Sequence, residues 1–222
     1  MWSPSGSRPH ILIPVSPEIE QLAEVYTAVF PRWSPVWEQY LSRVLPRFLH
    51  VTVTWLDAPS SGLPSTWMQD LEGAVGVAVA DVAPFQLRFG PALPVTYGVE
   101  LVVGPDQAAA ELAERCQGAL RQVFGCSAPV AAPAQYRPHC SLAYCHRAVA
   151  EEGLGSLLLS SVPLGEKFRP EPLTMQVDKV IITDQDTFAS GGLTWDEECV
   201  RTVYLAAASS CDAYVGERPD RR

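Results

Sequence analysis

The chain has 222 residues, 47% of them hydrophobic and 18% charged, enough apolar matter for one ordinary domain and too much for a disordered segment. Mean hydropathy is only +0.06, and no run approaches the roughly 18–20 apolar residues of a spanning helix, so a soluble, cytoplasmic protein is expected. The formal net charge of −9 argues against a protein that grips long nucleic acid through many phosphates, but not against a small site for one phosphate.

His10 to Val15 reads as a short buried strand. Ser16-Pro17-Glu18 opens a helix, with Ser as cap, Pro in the first turn and an acid near the positive end. Ile19, Leu22, Tyr26 and Val29 recur at helical spacing until Pro31. A second helix is expected from about Pro35, with Trp37, Tyr40, Leu41, Val44, Leu45 and Phe48 three or four apart and Pro46 as its stop. Phe48 to Leu56 alternates and is β-branched, a strand pattern. Residues 65–79 fit a helix through Trp67, Leu71, Val75 and Ala78, weakened by Gly73 and Gly76.

Phe85, Leu87 and Phe89 alternate, as do Tyr97, Val99, Leu101 and Val103; two strands joined by a turn at 90–94 are expected. Pro105-Asp106 starts the clearest helix, with Leu112, Cys116, Ala119, Leu120 and Val123 on one face and Gly125 closing it. A Pro- and Ala-rich loop leads to an apolar strand over His139–Cys145. A helix over 151–161 and strands over 173–183 and 193–206 complete the reading. Residues 1–9 and 207–222 are expected to be flexible ends. The six cysteines form no C-x-x-C pair and have no histidine at metal-ligand spacing, so reduced thiols and no metal are expected.

One pattern recurs. A helix, a breaker and a strand that begins at histidine occur at 35–56 and again at 106–145. Of the four histidines, His50 begins His-Val-Thr-Val and His139 begins His-Cys-Ser-Leu; both match His-x-[Ser/Thr]-apolar, whereas His10 and His146 do not. Strand alternation puts His50, Thr52 and Thr54 on one face and Val51, Val53 and Trp55 on the other. It likewise puts His139 and Ser141 together, with Cys140, Leu142 and Tyr144 opposite, so Trp55 and Tyr144 are expected in the core. Each strand then carries an imidazole and a hydroxyl roughly 7 Å apart on its polar face. Two such faces turned to one pocket would supply two titratable bases and two donors. A single strand of this kind is as readily a hydrogen-bonded core feature; the pair is harder to treat so.

The paired motifs, the Arg137-Pro138-His139 lead-in and the helix–strand order resemble the 2H phosphoesterase superfamily, in particular its 2′-5′ RNA ligase and RNA 2′,3′-cyclic phosphodiesterase branch, over roughly residues 10–205. The resemblance implies an α+β fold of two pseudo-symmetric lobes in a single domain over 10–206, with antiparallel sheets lining a central cleft and helices outside. It implies catalysis by His50 and His139, phosphate binding by Thr52 and Ser141, and neither metal nor nucleotide cofactor. Two positions depart from the family pattern: Ser141 replaces the commoner Thr, and Ala143-Tyr144 follows where Ala-Arg is common. The implied partner is a nucleotide or RNA end bearing a 2′,3′-cyclic phosphate or a 2′-5′ linkage, bound by a monomer. Arg137 is a candidate phosphate fork and Tyr136 a candidate base-stacking residue. Alternatives are a 2H enzyme for a small cyclic nucleotide or 2′-5′ oligonucleotide, which the acidic charge favours, and a non-catalytic RNA- or nucleotide-binding module.

Overall fold

The computed structural model describes residues 6–28, 41–95, 97–131, 136–145, 170–186 and 193–206. The helix expected over 151–161, His146 and the tail from 207 lie outside them. The described elements are strands β1 (Arg8–Pro14), β2 (Leu41–Arg43), β3 (His50–Trp55), β4 (Phe85–Val95), β5 (Gly98–Gly104), β6 (His139–Cys145), β7 (Leu173–Val177), β8 (Lys179–Gln185) and β9 (Arg201–Tyr204). The helices are α1 (Pro17–Thr27), α2 (Trp67–Val79) and α3 (Asp106–Phe124).

The strands form one antiparallel sheet in the order β7-β4-β5-β6-β3-β1-β8-β9, with β2 also paired to β6. This order has an internal symmetry. The two histidine strands, β6 and β3, lie at the centre, and each is flanked by the strand that precedes its helix: β5 then α3 before β6, β1 then α1 before β3. The two halves share a single core. Ile11, Ile13, Val51, Val53, Leu101, Cys140 and Leu142 from the sheet pack with Ile19 and Leu22 of α1, Leu71 and Val75 of α2, and Leu112 and Leu120 of α3. The helices therefore cover one face of the sheet and leave the other for a site.

The strong helical periods survive, while two predicted segments change character. Residues 41–43 are strand and 46–48 a single 3-10 turn, so no helix runs from Leu41 to Phe48; residues 35–40 lie outside the description. Pro46 cannot donate within a helix and holds Leu45 extended, and β2 gains ladder bonds to β6 instead. Within the described residues the recurring strand–helix–strand unit is β1, α1 and β3 beside β5, α3 and β6. Nor does a turn fill 90–94: β4 continues to Val95, with a bulge between Phe89 and Ala92 absorbing Gly90-Pro91.

The run 173–183 is two strands, because after Asp178 the chain leaves β4 and joins β1. In 193–206 only Arg201–Tyr204 is strand, after a 3-10 turn at Glu197–Cys199 capped by Asp196. β1 begins at Arg8, within the stretch expected to be flexible.

Candidate active site

β3 and β6 are neighbours, and Val51 lies opposite Cys140. Both of these side chains are fully buried in the core. In that register the positions on either side place His50 beside Ser141 and Thr52 beside His139, all on the face away from the helices. The two motifs are brought together head to tail about the Val51–Cys140 pair.

The rings are anchored alike. His50 Nδ1 donates to the carbonyl of Phe48 at 2.8 Å and His139 Nδ1 to that of Arg137 at 3.0 Å. A carbonyl only accepts, so each Nδ1 carries a hydrogen, and in the neutral ring the lone pair is on Nε2. Their surroundings differ. His50 is 5% exposed, and burial pushes its pKa down to about 4; the Phe48 carbonyl opposes this, and repulsion from His139 adds to it. His139 is half-exposed. Trp195 stands edge-on to His50, with ring centres 5.5 Å apart, and is itself propped by Phe48 at 4.8 Å.

The apolar fourth residue of each motif has a structural role of its own. Along the β1–β3 ladder Leu12 pairs with Thr52 but Ile11 with Thr54, so Val53 is a bulge residue. Along β5–β6, Glu100 pairs with Ser141 but Val99 with Ala143, so Leu142 is the equivalent bulge. Each bulge inverts the alternation beyond it. Thr54 consequently turns away from the histidine face and donates to the Ala131 carbonyl at 3.0 Å. Trp55 is not a core residue, as strict alternation had placed it: it is half-buried and stacks against His10, whereas Tyr144, also half-buried, packs against the core as expected and hydrogen-bonds Ser141.

Beside His139 lies a pairing that the sequence did not disclose. Glu100 is fully buried on the histidine face next to Ser141. It pairs with Arg137 and accepts from the Tyr97 hydroxyl at 3.0 Å. The Tyr97 ring lies 6.4 Å from that of His139. Burial, then the Glu100 charge, pushes the Tyr97 phenol above its ordinary range. Arg137 is thus held by a carboxylate, with its side chain still 48% exposed. Tyr136 turns inward: its hydroxyl donates to the Thr52 carbonyl at 2.8 Å and its ring packs on the core. It props β3 at Thr52 rather than presenting a stacking face.

Glu100 had one signal in the sequence, a lone acid between Val99 and Leu101. Trp195 had none. Among the described residues no group of three or more His, Cys, Asp or Glu could hold a metal ion. Nor is any helix there long and apolar enough to cross a membrane. The described cysteines, 116, 126, 140, 145 and 199, are free thiols.

The 2′-5′ RNA ligase superfamily model matches residues 14–187, spanning both histidine motifs. The chain belongs to this superfamily of 2H phosphoesterases. Solved structures share the fold. The TT0787 protein of Thermus thermophilus matches with a TM-score of 0.62 at 14% identity, covering 90% of this chain and 99% of that one. LigT of E. coli in apo form matches with a TM-score of 0.60 at 16% identity, over 92% and 100%. LigT complexed with 3′-AMP matches with a TM-score of 0.56 at 15% identity, over 91% and 100%. No curated protein sequence matches the chain.

Proposed function

We propose that the protein is a metal-independent phosphoesterase that hydrolyses a 2′,3′-cyclic phosphate by acid–base catalysis with His50 and His139. The observation that carries this reading is the anchoring of both imidazoles through Nδ1 on one polar face, each with Nε2 left for proton transfer and each next to a hydroxyl of the other motif. In the reaction, water attacks phosphorus, one P–O bond to the ribose breaks, and the other oxygen remains esterified.

Burial keeps His50 neutral around neutral pH, so it takes the proton from water. His139, the more exposed ring, donates to the departing ribose oxygen. Thr52 and Ser141 hydrogen-bond the non-bridging oxygens as charge builds on them. Binding of 3′-AMP by a protein of the same fold, E. coli LigT, supports a nucleotide phosphate as the ligand. With a ribose hydroxyl in place of water the same groups make a 2′-5′ linkage, the reaction that the superfamily's name carries.

The binding-module alternative has less support, since binding alone does not require two oriented bases. The experiment is turnover of nucleoside 2′,3′-cyclic phosphates in the presence of EDTA, with hydrolysis expected at an undiminished rate. Loss on chelation that a divalent ion restores removes the two-histidine mechanism.

A further inference from the structure

A third histidine shares the anchoring of the first two. His10 Nδ1 donates to the Arg8 carbonyl at 2.9 Å, again two residues back. β1 alternates with Ile11 and Ile13 in the core, so Arg8, His10 and Leu12 share the face of the dyad. The Val53 bulge brings Trp55 onto that face opposite His10, and the rings stack at 5.9 Å with only 10° between their planes. Across β1 on the other side, Thr183 pairs with His10 and Gln185 with Arg8. Gln185 is 4% exposed, and its Oε1 has no hydrogen-bond partner among the described residues. Arg8 Nε is also buried without hydrogen-bond geometry, 3.4 Å from Asp57.

We propose that this strip is a second subsite, taking the base of the nucleotide next to the reacting one. The proposal rests on the phosphoesterase reading above. Position sets the ligand. His50 pairs with Pro14 and Trp55 with His10, so four residues of β1, about 13 Å, separate the strip from the dyad. The base on the reacting ribose is only a few covalent bonds from phosphorus and falls short of that distance. A neighbouring nucleotide spans that distance, past the buried Leu12–Ile181 pair of the β1–β8 ladder.

Chemistry agrees with position. Half-buried Trp55 offers a flat ring to a heterocycle. His10, which burial pushes down to about 4, is neutral and adds no charge against a base. The free Gln185 oxygen accepts from an exocyclic amino group or a ring N–H. The preferred substrate is then a short oligonucleotide end rather than a mononucleotide, consistent with the −9 charge that disfavours long RNA.

The test compares kcat/KM for a dinucleotide ending in a 2′,3′-cyclic phosphate with that for the corresponding mononucleotide. This ratio does not depend on the fraction of enzyme folded. Wild type should favour the dinucleotide by roughly 5- to 100-fold, the range of one base–aromatic stack. Trp55→Leu should bring the ratio close to one, Trp55→Phe should retain most of it, and Gln185→Met should lower it. A wild-type ratio near one, or a preference that Trp55→Leu leaves intact, overturns the subsite while leaving the phosphoesterase reading standing. If neither substrate is hydrolysed, that reading fails. Calorimetric titration with a dinucleotide 3′-phosphate then decides the subsite: binding weakened by Trp55→Leu supports it, and equal or absent binding overturns it.

Discussion

Val51 and Cys140 face each other across the β3–β6 ladder, and from this pair the polar residues of both motifs follow by one step of the register. His50 comes to stand beside Ser141 and Thr52 beside His139. Each histidine thus stands next to the hydroxyl of the other motif, and the candidate site draws on both strands.

Thr52→Val and Ser141→Ala remove one hydroxyl each and leave the strands β-compatible. Each should lower kcat/KM for a cyclic phosphate by about 10²–10³-fold, the cost of one oxyanion donor. Tyr144→Phe removes only the partner of the Ser141 hydroxyl and should cost less than Ser141→Ala. Steady-state kinetics on the variants checks this; unchanged constants for both hydroxyl variants would move them out of the site.

The buried histidines predict the acid side of the stability curve. Folded His10 and His50 titrate at about 4, against 6.5 for the free side chain. Between these values the unfolded chain binds more protons, so stability rises with pH there. It is fully present above about 6.5 and is lost as pH falls toward 4, by order 3 kcal/mol for each histidine. Thermal denaturation from pH 7.5 to 4.5 should show Tm falling with acid, and His10→Gln or His50→Gln should each flatten that fall.

Gly98 is placed where no side chain fits. Its φ is +157, and a Cβ would meet the Ala143 carbonyl oxygen at 2.0 Å as β5 enters the ladder with β6. Gly98→Ala should force the two strands apart and destabilise the fold by about 1–3 kcal/mol, through strain at a close backbone contact. Urea denaturation measures this. The same change at Gly76 in α2, where a Cβ meets nothing within 4 Å, should instead be neutral or stabilising.

The Arg137–Glu100 pair predicts a reciprocal rescue. Arg137→Met leaves a buried carboxylate without its cation, a change costing a few kcal/mol for a wholly buried pair and about 1–3 kcal/mol here, where the guanidinium is half-exposed. Adding Glu100→Gln removes the stranded charge and should recover most of that loss. A double-mutant cycle by denaturant unfolding gives the coupling energy.

The sequence made the repeated architecture and the histidine pair legible, because period-2 and period-3.6 patterns around His50, His139 and α3 were strong and local. It failed where tertiary pairing overrode local pattern. Leu41, Val44 and Phe48 have helical spacing, but β6 offers an edge for β2 and Pro46 forbids the helix bond. The bulges at Val53 and Leu142 are fixed by neighbouring strands, so simple alternation placed Trp55 on the wrong side and gave no sign of the contact between Tyr144 and Ser141. Glu100 and Trp195 reach the site through the ladder partner of one and the packing of the other; a lone acid in an apolar strand is the one local sign of Glu100, and nothing adjacent in the chain announces Trp195.

The central claim is tested most directly by single-turnover hydrolysis of a nucleoside 2′,3′-cyclic phosphate in EDTA, by wild type, His50→Ala, His139→Ala and the double variant. Each single change should cost about 10²–10⁴-fold with circular dichroism unchanged, and the double variant should lose far less than the product of the two, as groups acting as a unit do. A folded single variant that turns over at the wild-type rate would show that its histidine takes no part in proton transfer, and would contradict the two-histidine account.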